Sequence, residues 1–298
     1  MKIINIKLSA SFILFLLVVF PSRSVQAQVD LVGEWSPRQA LQNTNGMDIG
    51  DYTGIPINEA ARFRAESYSP DQVDLPENEC RPIPADMGYR VLASNFELWS
   101  DVDHETRQII AYHMHLTWGE NEETIWMDGR LHPSEYAPHT FQGFSTGKWE
   151  GNTLVVTTDH LKEGYLTRGA GVFRSDRSVE TRRITRYGNY LIMTFIIDDP
   201  AYFTEPYIIT SHFVYNPAQV ITPFPCEIPT EGSVVAAGTV PNFVPGENPL
   251  LHDFAAEYGM PPEAALGGAE TDYPEYIDKM KTMKKLPKTT TQHVHRGG

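Results

Sequence analysis

The chain is poor in cysteine and poor in positive charge: two cysteines, and 24 Lys and Arg against 38 Asp and Glu in 298 residues. It has no glycine-rich phosphate loop, no alternation of strand and helix of βαβ type and no internal repeat, so dinucleotide binding of the usual kind is not expected. Long apolar runs are absent except at the very start. The acidic surplus repels phosphate backbones, which argues against nucleic acid as a partner.

The opening run has the build of a signal peptide spanning residues 1–27. Lys2 and Lys7 form a basic beginning, Ser11 to Phe20 is apolar but too short to span a bilayer, and Val25-Gln26-Ala27 fits a small-residue cleavage site. No cysteine stands at the cut to take a lipid anchor. The predicted location is therefore periplasmic or secreted, with no stable membrane anchor after processing. Cleavage removes Lys2, Lys7 and Arg23 and no acid, which leaves 21 of the 24 basic residues against 38 acids, a balance of −17. In an exported chain, Cys80 and Cys226 are expected to form a disulfide. Closing so long a loop removes about 5 kcal/mol of unfolded-state entropy in the chain-entropy model.

Past the signal the chain divides by texture into an N-terminal arm (28–87), a β-rich core (88–226), a C-terminal arm with helices (227–278) and a flexible tail (279–298). In the first arm, Gly33-Glu34-Trp35 is a Gly-x-Trp of the kind found in the first strand of lipocalin-like barrels, and Asn58 is placed to cap a helix over residues 59–66. In the core, residues 107–118 alternate with period two, Tyr112, Met114 and Leu116 on one side and His113 and His115 on the other. Tyr190 to Ile197 is apolar on both faces apart from Thr194, and Gly188-Asn189 turns the preceding strand into it. Strands joined by tight turns predict a mainly β fold, an antiparallel up-and-down barrel of lipocalin-like type, with a β-sandwich as the alternative. In the C-terminal arm, Asn248, Pro249 and Gly259 bracket a helix, and Pro262 begins another.

Thr124 to Val156 is the densest stretch of chemistry. Asp128-Gly129 and Glu150-Gly151-Asn152 read as turns between β-prone runs, and Asp128, Arg130, His132, His139 and Glu150 fall within a short span. The commoner role of such residues is to fasten their own turns. The sharper role is an acid–base set of Asp128, His132 and Glu150, with Arg130 as a fixed cation for a carboxylate, phenolate or enolate oxygen.

The words IWMDGRLHP, EYAPHTFQGFSTGKWEGNTLVV, DYTGIPINEAARFRAE, LPENECRP and GGAETDYPEY resemble a large family of secreted bacterial proteins. That family is recognisable by MDGR-x-HP and by G-x-S-x-G-x-WEG-D/N-T-L-x-V, and the resemblance runs over nearly the whole mature chain. It implies export and a shared fold rather than a reaction. The chain departs from the family at Arg182-Arg183-Ile184, where members usually read E-R/H-F.

Three uses follow. The first is a barrel that holds a small apolar or aromatic ligand, with Trp126, Trp149, Arg130 and Arg183 as contacts; Arg183 shares a strand face with Val179, Thr181, Thr185 and Tyr187, and an inward arginine there needs a partner. The second is a periplasmic enzyme performing isomerisation, hydration or elimination on a small carbonyl or phenolic compound through Asp128, His132 and Glu150. The third is a structural or interaction protein whose barrel is filled by its own side chains. No cofactor is predicted. His113-x-His115 sends two imidazoles to one face and needs a third ligand to hold a metal ion. Gly143-x-Ser145-x-Gly147 has the wording of a hydrolase elbow but lacks the helix that must follow it.

Overall fold

Strand-forming segments separated by glycine turns close into a nine-stranded barrel, seen here in a computed structural model that describes residues 29–38, 48–69, 80, 83–84, 86–90, 94–116, 121–224, 226 and 242–289. The expected signal peptide lies outside the described residues. The strands are β1 (Gly33–Pro37), β2 (Phe96–Val102), β3 (Ile109–Leu116), β4 (Asn121–Trp126), β5 (Phe144–Glu150), β6 (Thr153–Asp159), β7 (Gly164–Thr167), β8 (Val172–Arg174), β9 (Val179–Tyr187), β10 (Tyr190–Asp198) and β11 (Tyr207–Tyr215). Round the wall the order is β1-β11-β10-β9-β6-β5-β4-β3-β2, while β7 and β8 pair separately. Closure leaves no open sheet edge. The Gly-x-Trp segment is itself a wall strand, so the region expected as an N-terminal arm supplies β1, which bridges β2 and β11.

The pairing is mostly antiparallel, with one exception that matters below. β5 and β6 join through Gly151-Asn152, and β9 and β10 through Gly188-Asn189. In both loops the first residue is a glycine at positive φ, which a two-residue II′ turn requires. The Asp128-Gly129 turn makes no hairpin. β4 and β5 are parallel, Ile125 opposite Ser145 and Trp126 opposite Thr146, so the chain crosses over between them through residues 127–143.

Alternation decides which side chains fill the barrel. Tyr112, Met114 and Leu116 of β3 point inward with Phe96 and Leu98 of β2, Ile125 of β4, Leu154 and Val156 of β6, Leu191, Met193 and Phe195 of β10 and Phe213 of β11, all buried in one cluster around Trp35. Each such side chain contributes about 1.5–3 kcal/mol by leaving water. Trp35 donates its indole N–H to Leu31 O, and Arg186 lies over its ring and over Tyr215. Short helix α2 (Met87–Arg90) packs against β7 and β11.

The arms follow local chemistry. Asn58 caps α1 (Glu59–Glu66) by accepting from the Ala60 and Ala61 amides, as its position predicts. The C-terminal helix starts later than its signal: the Asn248 side chain accepts from the Leu250 amide and donates to Tyr68 O, and α3 runs Asp253–Tyr258 before Gly259 ends it in the left-handed region. Helices α4 (Pro262–Ala265) and α5 (Pro274–Met280) follow. Part of the expected tail is tied back, since the Leu286 and Thr289 amides donate to Met260 and Ala256. Cys80 and Cys226 are bonded across a separation of 146 residues. Such a bond belongs to an oxidising compartment, and among the described residues no helix is long and apolar enough to cross a membrane.

Candidate functional site

Inside the barrel sits a polar centre. Arg182 of β9 is fully buried and donates to both carboxylate oxygens of Glu123, at 2.8 and 2.9 Å, and to Glu180 at 3.1 Å. Ser145 donates to Glu123 at 2.8 Å and meets Thr158 at 2.8 Å. A second buried set lies beside it: Asp86 pairs with Arg90 at 2.7 Å and with Arg174 at 3.3 Å, and Arg90 also donates to Leu166 O. Three arginines thus face three carboxyls. Burial raises the Glu180 carboxyl to about 7, with the nearby Asp86 and Glu123 charges adding to the push. Burial acts on Asp86 in the same direction, but Arg90 and Arg174 outweigh it and hold that carboxyl at about 2. Opposite charges this close are what let charge survive away from water, although Glu180 Oε2 and Arg174 Nε have no hydrogen-bond partner among the described residues.

This centre was not foreseen. Sequence reasoning selected Arg183 as the arginine of interest, whereas the inward residue is its neighbour Arg182. Arg183 lies on the outer face, 42% exposed, and pairs with Glu150 at 3.1 Å. Both faces of β9 carry polar residues, so alternation alone did not reveal which row turns in.

Outside the wall, the crossover 127–143 lies against β5 and β6, tied by backbone bonds at Met127 and Thr140 and by side chains between them. Asp128 forks Arg130 through contacts of 2.6–3.0 Å, and the guanidinium lies 3.5 Å above the Trp126 ring. Arg130 holds the Asp128 carboxyl below its usual range. His132 Nε2 lies 2.7 Å from Thr146 Oγ1 on β5, its ring edge-on to Phe144. Its Nδ1 lies 2.8 Å from Asp159 Oδ1 on β6, off the line of a directed hydrogen bond. Asp159 also meets His160 Nδ1 at 2.7 Å, while His160 Nε2 meets Ser134 O at 2.8 Å. Both His160 nitrogens therefore face oxygens that only accept, and the Asp159 bond, with help from Ser134, raises the imidazole's proton affinity. His139 meets Leu161 O at 3.0 Å.

The expected acid–base set is consequently split. His132 is tied to Thr146 and Asp159, Asp128 to Arg130, and Glu150 to Lys148 and Arg183, both of which hold its carboxyl low. Trp126 is outside under Arg130, and Trp149 packs against the core. The G-x-S-x-G wording has a packing cause. A side chain at Gly143 would come within 2.5 Å of Asp159 O, and one at Gly147 within 2.5 Å of Met127 Sδ. Ser145 is sealed inside.

Among the described residues, cavities also lie outside the lumen. One, about 270 Å³, is set between Thr53–Pro56 and the start of β11. Another, about 390 Å³, is a groove over β2, β3 and β4 lined by Glu97, Trp99, His115, Glu122, Ile221 and Pro223. Glu97, His115 and Glu122 are successive cross-strand partners, and Trp99 is stacked on His113 with centroids 5.2 Å apart. His113 has both nitrogens engaged, by Asp101 at 2.9 Å and Thr124 at 3.1 Å. Among the described residues no three His, Cys, Asp or Glu side chains are grouped as a metal ion needs. The groove was missed because Ile221 and Pro223 arrive from beyond the last strand.

Comparison of the chain with protein-family models, with curated proteins and with solved structures finds no match in any of the three.

Proposed function

We propose that this chain is an exported binding protein for a small aromatic or apolar molecule bearing a positive charge, held in the groove over β2–β4 rather than in the lumen. The observation that carries this is the groove's composition. It combines a volume of about 390 Å³, apolar contact from Trp99, Ile221 and Pro223, and two carboxylates, Glu97 and Glu122, on either side of His115. A volume of a few hundred Å³ is the usual scale of small-molecule sites. Carboxylates select a cation, and an indole adds attraction for one. Against the lumen stands its filling: the inward residues of nearly every strand are buried against one another.

The test is a titration of the purified chain with benzyltrimethylammonium, with phenylacetate as the anion of similar size, followed by calorimetry. The cation is expected to bind at least tenfold more tightly than the anion, and Glu122→Gln with Glu97→Gln to erase that preference. Equal binding of both probes, or a preference untouched by the double substitution, would remove the groove as the site.

A further inference from the structure

From the contacts at the crossover we infer that Thr146, His132 and Asp159 form a nucleophile, base and orienting carboxylate able to hydrolyse small aryl esters. This does not depend on the groove. The three residues come from β5, the crossover and β6, yet they meet in sequence: Thr146 Oγ1 to His132 Nε2 at 2.7 Å, and His132 Nδ1 to Asp159 Oδ1 at 2.8 Å. A hydroxyl in contact with an imidazole that a carboxylate faces from the other side is the arrangement that activates an alcohol for acyl transfer, whatever the fold. The side chains of His132 and Asp159 are 24% and 26% exposed, so substrate and water reach them.

The neighbourhood supports the assignment. Asp159 Oδ1 is also held by His160 Nδ1, and His160 is itself tied to Ser134 O, so the oxygen that faces His132 is fixed in place. Phe144 packs edge-on against His132, and Leu131, beside it in the chain, is 90% exposed. These apolar groups suit an aryl or short alkyl ester rather than a charged one. Ser145, the serine of the motif, faces the lumen and belongs to the Glu123 centre; the hydroxyl that meets a histidine is the next residue, on the opposite side of the strand.

In the step itself, Thr146 Oγ bonds to the ester carbonyl carbon while its proton passes to His132 Nε2. The carbon–oxygen bond to the leaving alcohol then breaks, and that alcohol takes the proton from Nε2. Water attacks the resulting acyl-threonine, gives its proton to Nε2, and the acid leaves as Thr146 Oγ recovers that proton. The balance is ester plus water to acid plus alcohol. Asp159 is a positioning residue that favours the transient imidazolium.

The experiment uses the full chain with its disulfide intact and p-nitrophenyl acetate as substrate, with peptide mapping of acid-quenched samples. Turnover above the buffer blank is expected, with an acetyl group on the Thr146 peptide. Thr146→Val and His132→Asn should each lower the rate about 100-fold or more, the scale of general-base assistance. Thr146→Ser, which keeps the hydroxyl, should retain turnover, and this separates chemistry from any loss of fold. Turnover no faster than the blank would overturn the inference. So would acetyl groups found only on lysines, or a Thr146→Val rate equal to the parent's.

Discussion

The lumen and the crossover are built from the same kinds of residue and use them differently. In the lumen, Arg182 is fully buried and every charge has a counter-charge within 3.3 Å. On the crossover and the end of β6 beside it, Arg130, Asp128, His132 and Asp159 are a quarter to two-fifths exposed and their pairs are short-range or shared. The first arrangement tolerates no charge left without its partner, because such a charge cannot turn to water; the second can exchange a partner for solvent. Buried polar groups therefore specify this fold, and exposed ones remain able to act on something else.

The largest effect should come from breaking the lumen. Arg182→Met leaves Glu123 without its bidentate partner and should cost about 3–5 kcal/mol in urea unfolding. Should the loss be under about 1 kcal/mol, water reaches the centre and the contrast fails.

Next is the pH dependence that Glu180 imposes. Its folded value, about 7, lies above the ordinary 4.5, so the folded state binds the proton more tightly. The carboxyl therefore weakens the fold as pH rises from about 4.5 through 7, and does so fully above that window. Glu180→Gln removes the term and should raise stability at pH 8 on the order of 2 kcal/mol, with little change at pH 4.5. Thermal melts at both values check this, and an equal gain at both would refute it.

On the crossover the sign is set by a base. Because the His160 proton affinity is raised by Asp159, its contribution is complete below the ordinary histidine value and fades as pH climbs through the raised one. Amide protection in residues 132–140, corrected for intrinsic base-catalysed exchange, should fall as pH climbs above the ordinary histidine value, while the melting temperature shifts by the equivalent of under about 1 kcal/mol. A His160→Gln variant should lose that pH response. The smallest effect should be Asp128→Asn: the pair with Arg130 is solvent-exposed, and the melting temperature is expected to stay unchanged within error.

Much of the barrel was legible from the amino acids. The alternation through Tyr112, Met114 and Leu116 and the Gly-Asn turns after Glu150 and Tyr187 are local signals, and each lies where the pattern puts it. Asn58 likewise caps its helix. The parallel pairing of β4 with β5 was hidden, because Asp128-Gly129 looks the same whether the next strand returns beside the last or crosses over. Of the groove lining only His115 is named by the sequence, and of the set at the crossover only His132. Thr146 and Asp159 carry no signal of their own, being an ordinary strand threonine and the last residue of β6.

What the sequence determined by itself was the kind of wall and its turns, since period-two alternation and glycine at positive φ act over a few residues. Which arginine turns inward, which carboxylate meets His132 and where a groove forms were decided only by the closed barrel. Those are matters of register and crossover, and they depend on residues tens of positions apart being brought into contact.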